Sequence, residues 1–232
     1  SNTGVAAFAE LCLSAAYVSA CATNMVPDWL KDGDFSKLPP QAKPDAAYKR
    51  AKYFQFIGQF EPMLAVAQTA LEFCTSPSGV TFHDVYFRAV CAIACHALGR
   101  IDEAKRWLME SLKIALPLGF ITPFAESITA FGGLLEQCLE QEFPAYYGAI
   151  TSQWEWSFSN WLDFHNRFTK NNITRVLTLR EYELAVLAAR RVPYEQIAKR
   201  YSISVGRLKN KMNEIYGKLY VSNRKELSKL IL

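Results

Sequence analysis

Histidine is scarce in this chain: His83, His96 and His165 are the only three in 232 residues, and each stands alone. No serine or cysteine has a readable base partner, so acid–base and nucleophilic catalysis have no foothold and no enzyme is expected. A Gly-x-x-x-x-Gly-Lys-Ser/Thr loop is also missing, which places any ATP-hydrolysing domain outside these residues. Nothing else in the sequence calls for a cofactor. Strand signal is almost absent, since apolar residues recur at helical spacing. The apolar stretch 4–26 has no basic segment ahead of it, as a signal peptide would. It is built from Ala, Ser and Cys rather than large side chains, so a packed helix is expected rather than a membrane span. The chain starts without Met, and Ser1-Asn2 reads as a protease scar, so these residues are expected to be part of a longer protein.

Half of the residues are hydrophobic and 21% are charged, which excludes a disordered chain. The net charge of +4 conceals an asymmetry. From Ile173 onward there are 13 basic and 5 acidic residues, a balance of +8, while the remainder carries −4. A basic module on a mildly acidic body suits two different partners, and a polyanion is the natural one for the module. Six cysteines (Cys12, Cys21, Cys74, Cys91, Cys95, Cys138) fall inside apolar helical stretches, a usage that fits thiols in a reducing cytoplasm. Cys91 and Cys95 share a helix face beside His96, but no second ligand pair follows at zinc-site spacing; buried thiols are expected and no metal.

Breaks at Pro27-Asp28, Asp32-Gly33-Asp34, Pro39-Pro40, Ser76 to Gly79, Pro117 to Gly119 and Phe143-Pro144 punctuate helices suited to stacked hairpins. An internal repeat supports this. Ile57-Gly58-Gln59-Phe60-Glu61 precedes Ala70-Leu71, and Leu98-Gly99-Arg100-Ile101-Asp102 precedes Ser111-Leu112 at the same distance, the two glycines lying 41 residues apart. Met63 stands where the second copy has Ala104. The pattern resembles the tetratricopeptide family, whose hairpins stack into a superhelix with a concave face. The run from Ser111 through Pro117, Gly119, Thr122 and Pro123 to Phe124, leading to Leu134-Leu135, resembles the segment that closes the repeat region of the large ATP-binding LuxR regulators, the group of the maltotriose-responsive activator. Thr122 can cap the helix that Pro123 opens. Aromatics at Trp154, Trp156, Phe158, Trp161 and Phe164 either line an effector groove or belong to the core.

The last sixty residues divide into short helices. Thr178 and Glu181 have capping-box spacing. Leu184, Leu187 and Ala188 line the inward face of the first helix, and Ile197, Ala198 and Tyr201 supply the contacts of a second that Pro193 opens. After the Ser202-Ile203-Ser204 turn, Leu208, Met212, Ile215 and Leu219 form one apolar stripe. Gly206, Arg207, Lys209, Asn210, Lys211 and Asn213 occupy the rest of the first two turns, a cationic and amide-bearing set. The alternative is a solvated basic face on an ordinary helical bundle. Leu177 to Leu227 resembles the LuxR-type helix-turn-helix, on Leu177-Thr178, Arg180-Glu181, Ile197-Ala198, Ile203-Ser204, Lys209, Ile215-Tyr216, Lys218-Leu219, Val221 and Arg224. Arg207-Leu208 replaces the usual Thr-Val, Lys211 the usual His, and Arg191 and Tyr220 two common glycines. The Arg191 turn is therefore expected to be modestly altered. No α/β receiver pattern precedes the module, so a phosphorylated two-component regulator is not expected.

The resemblance implies that the helix after Ser204 enters the major groove, with Lys209, Asn210, Asn213 and Gly206 facing bases. Arg207, Lys211, Lys199 and Ser204 are assigned to phosphates, which position without reading sequence. It also implies a dimer contact through Leu227, Leu230 and Ile231 of the last helix; the other reading is that these residues close the domain core. The expected protein is all-α: a tetratricopeptide-like helical-hairpin array (3–168), a linker (169–176) and a four-helix LuxR-type DNA-binding domain (177–232). Its expected function is sequence-specific transcription regulation in the cytoplasm. Duplex DNA and RNA polymerase are its partners, a small-molecule or protein effector binds the repeats, and a homodimer forms on DNA. The alternative is a repeat-based interaction scaffold whose terminal helices no longer read DNA. A third reading makes the chain the regulatory tail of an ATPase.

Overall fold

The computed structural model describes residues 2–19, 22–74, 81–169, 177 and 179–231. The described chain is all-α, without strands, and no helix in it is long and apolar enough to cross a membrane. It divides into two compact units, 1–123 and 124–232. The sequence places its boundary at 169–176 instead, and residues 170–176 of that linker lie outside the described residues.

The first unit comprises α1 (Asn2–Ser19), α2 (Asp28–Asp32), α3 (Lys43–Phe56), α4 (Phe60–Cys74), α5 (Phe82–Ala97) and α6 (Ile101–Ala115). Of the apolar stretch 4–26, the part to Ser19 belongs to the helix α1, which packs on one side, while Val5, Phe8 and Leu13 are exposed. Ala7, Leu11 and Val18 of α1 are buried with Val26, Leu30, Leu38, Ala42 and Ala46 in one cluster. From α3 to α6 each helix packs on its sequence neighbours, giving the hairpins α3–α4 and α5–α6. Their turns use the same bonds. Ile57 N–H donates to Tyr53 O at 3.1 Å and Gln59 N–H to Phe54 O at 2.9 Å; in the second copy Leu98 donates to Ala94 O at 3.0 Å and Arg100 to Cys95 O at 2.9 Å. Gly58 (φ 75°) and Gly99 (φ 78°) hold the left-handed residue that closes each helix. Met63 and Ala104, the mismatched pair of the repeat, are both fully buried.

Small residues let these helices approach closely: Ala51, Ala67, Ala92, Ala94 and Ala104 are almost entirely buried. Cys91 and Cys95 lie in the same core. Burial pushes both thiols up, Cys95 to about 11, and burial lowers His96, so neutral thiols fill this space. Among the described residues no cluster of three His, Cys, Asp or Glu forms a cation site. At the start of α5, burial raises the Asp84 carboxyl, but the Thr81 N–H (2.7 Å) and hydroxyl (2.9 Å) together with Arg88 outweigh it and hold the group below its ordinary value.

The second unit contains a 3-10 turn (Ile128–Phe131), α8 (Leu134–Glu142), α9 (Pro144–Thr169), α10 (Leu179–Ala189), α11 (Tyr194–Arg200), α12 (Val205–Leu219) and α13 (Arg224–Ile231). The short α7 (Thr122–Ser127) lies at the division between the units and carries Pro123 in its first turn. In α10 burial runs continuously from Leu184 to Ala189, with Tyr182 also fully buried. That exceeds the one-face pattern of Leu184, Leu187 and Ala188, because α11, α12 and α13 all pack on α10. Residues with positive φ mark the turns: Arg191 (61°) after α10, Ser202 (53°) between α11 and α12, and Tyr220 (55°) after α12. The expected alteration of the Arg191 turn is not found. Arg191 and Tyr220 keep the left-handed geometry that glycine favours, at a cost of about 1–2 kcal/mol each.

Candidate nucleic-acid interface

Ser204 starts α12: its backbone is extended (ψ 153°) and its hydroxyl accepts from the Arg207 N–H at 3.2 Å. Leu208, Met212 and Ile215 are buried, and Leu219 is half-buried at the end of the same stripe. Gly206, Arg207, Lys209, Asn210 and Asn213 are all exposed. Spacings of three and four bring Gly206, Asn210 and Asn213 onto one stripe, with Lys209 one turn below Asn213. Among the described residues an added Cβ at Gly206 would meet only the Ser204 Oγ, at 3.9 Å. Among the described residues neither Arg207 nor Lys209 enters an ion pair.

The other expected phosphate contacts have internal partners. Lys211 Nζ lies 2.7 Å from Glu214 and 3.2 Å from Glu181, and these two carboxylates raise its pKa. Lys199 Nζ pairs with Glu140 of α8 at 3.2 Å, although its side chain is 75% exposed. Arg200 beside it pairs with Glu136 at 2.9 Å and lies over the Trp154 ring, 4.1 Å from its centroid. Buried Glu181 also accepts from Lys218 on both oxygens at 2.8 Å, fastening α12 to α10. Thr178, its expected capping partner, lies outside the described residues.

Leu227 and Ile231 of α13 are buried inside the unit, so of the expected dimer contact only Leu230 is presented outward, 41% exposed. Arg224 secures this helix by donating from Nε to Ala188 O and from Nη2 to Val192 O at 2.6 Å, with its guanidinium over the Tyr194 ring at 5.3 Å. The Tyr194 and Tyr216 hydroxyls meet at 3.0 Å, tying α11 to α12. Of the aromatic set on α9, Trp154 is core and Trp156 is 73% exposed; the side chains of Phe158, Trp161 and Phe164 lie outside those described. The carboxylates Glu181, Glu136 and Glu140 were not legible as partners of this module. Their cations lie 30 to 64 residues away in sequence and no local spacing signals the pairs.

The geometry leaves one helical face of amides, cations and a glycine open, opposite a stripe on which Leu208, Met212 and Ile215 are buried. No family model, curated protein or solved structure matches the chain.

Proposed function

We propose that this protein is a sequence-specific DNA-binding transcription regulator in which α12 enters the major groove. The observation that carries the reading is the division of α12 between buried Leu208, Met212 and Ile215 and exposed Gly206, Arg207, Lys209, Asn210 and Asn213. Lysine donates to guanine O6 and N7, and asparagine matches adenine N6 and N7. Free N–H groups at the start of this 15-residue helix favour a phosphate, and Arg207 stands in that turn. Gly206 costs helix stability, and the open space beside it fits close approach to a duplex.

The LuxR-type arrangement, the tetratricopeptide-like character of the α3–α6 hairpins and an effector-sensing role for them belong to the same proposal. So do dimerisation through Leu230, contact with RNA polymerase and a cytoplasmic location. The balance of +8 in the last sixty residues supports a polyanionic partner.

Titration of a duplex selected from a random pool, repeated at several salt concentrations, tests the reading. Affinity falls steeply with salt, and Arg207→Ala lowers the log–log slope by about one. Lys211→Ala lowers it less, because Glu214 and Glu181 already neutralise that cation. Lys209→Ala or Asn210→Ala relaxes base preference, costing about 1–3 kcal/mol at one position. The scaffold reading gives weak, sequence-indifferent binding in which these variants behave alike.

A further inference from the structure

Helix α1 has apolar residues on its outer side as well as its inner side, and Glu10 is its only charged residue. The inner side, with Ala7, Leu11 and Val18, belongs to the core cluster. On the outer side Val5, Phe8 and Leu13 are 70%, 49% and 54% exposed, and Ala6, Ala9 and Cys12 are exposed with them. Val5, Phe8, Ala9, Cys12, Leu13 and Ala16 recur at steps of three and four, so they form one stripe along the helix. No member of the stripe is charged. The Glu10 carboxylate is engaged elsewhere, accepting from Trp29 Nε1 at 2.7 Å. A helix that is apolar on every side is normally covered on every side, and a contiguous patch of large apolar side chains in water marks an interaction surface.

We infer that the outer face of α1 pairs antiparallel with α1 of a second copy of this chain, about a two-fold axis that passes between Ala9 and Cys12. The stripe is self-complementary about that axis, as an isologous contact requires. Phe8 stands against the second copy's Leu13, Val5 against its Ala16 and Ala9 against its Cys12, so every member of the stripe meets another member. The small residues Ala9 and Cys12 at the centre let the two backbones approach, and the larger Phe8 and Leu13 flank them. A charged partner finds no counter-charge on this face. A helix lying on anionic lipid uses Lys and Arg along its polar side, and α1 has neither. Two helices of this length bury on the order of 1,000 Å² in total, the low end for specific interfaces, which suits a reversible dimer at micromolar concentrations. The contact uses neither Leu230 nor DNA.

Sedimentation equilibrium of the whole chain without DNA tests the pairing independently of the DNA-binding reading. The chain dimerises reversibly with a Kd of about 1–100 µM. Phe8→Lys or Leu13→Glu alone weakens the dimer by about thirtyfold or more, because each buries an unpaired charge in the contact. Leu230→Glu leaves it unchanged. Both α1 positions are open in the monomer, so the fold is kept, and thermal unfolding of each variant at dilute concentration matches that of the parent. Mixing Phe8→Lys with Leu13→Glu gives a heterodimer about tenfold tighter than either variant with itself, since the antiparallel arrangement sets the two opposite charges face to face. A chain that stays monomeric at about 200 µM overturns the pairing. So does a dimer that both α1 variants leave intact, or a mixture no tighter than its components. A monomer that binds phosphatidylcholine vesicles through Phe8 and Leu13 gives this face to a membrane and equally overturns it.

Discussion

Arg224→Ala destabilises the second unit by about 3 kcal/mol. The guanidinium serves two backbone carbonyls at once, Ala188 O at the end of α10 and Val192 O beyond the left-handed Arg191, and its face covers Tyr194. Burial depresses its pKa, although Tyr194 and Tyr216 work the other way. Alanine leaves Val192 O without this donor and Ala188 O with only the Arg191 N–H, and it uncovers the ring. Each lost bond from a charged donor costs about 1.5–3 kcal/mol. Lysine carries the charge but not the planar fork, so Arg224→Lys recovers less than half. Equilibrium urea denaturation of the three proteins measures this, and a loss below about 1 kcal/mol contradicts the role given to Arg224.

Glu181→Gln has two effects of opposite sign. Glu181 is nearly inaccessible and holds Lys218 and Lys211, so replacing its charge lowers stability by about 2–3 kcal/mol. The figure belongs at the low end for a broken buried pair, because both lysine side chains are about 40% exposed and regain water. The same replacement releases Lys218 from its internal counter-ion and leaves Lys211 with Glu214 alone. Non-specific duplex affinity at low salt therefore rises several-fold while the urea midpoint falls. A variant that is less stable and also binds duplex more weakly shows that Glu181 does not compete with phosphate for these lysines.

Local rules made much of the architecture legible. The 41-residue spacing of Gly58 and Gly99 places both turns, because a left-handed residue after a helix is a local demand that glycine meets. The periodicity of Leu208, Met212 and Ile215 separates the buried side of α12 from the open one, and Ser204 marks its start. What escaped the sequence is long-range. Helices α8 and α9, which the sequence places with the array, fall within the second compact unit. Glu136 and Glu140 there meet Arg200 and Lys199, and Trp154 lies under Arg200. No spacing rule links residues 59 or 64 positions apart. The Arg191 turn misled for a different reason: surrounding packing, with Arg224 on the carbonyls at either side, holds a non-glycine residue in strained geometry.

The proposed DNA-binding role rests on the open face of α12, and backbone amide shifts of Gly206 to Asn213 during titration with a selected duplex probe that face directly. The account predicts that these amides shift most and saturate with the duplex, while those of α3 to α6 stay in place. Unchanged signals from Gly206 to Asn213 at duplex saturation would contradict it.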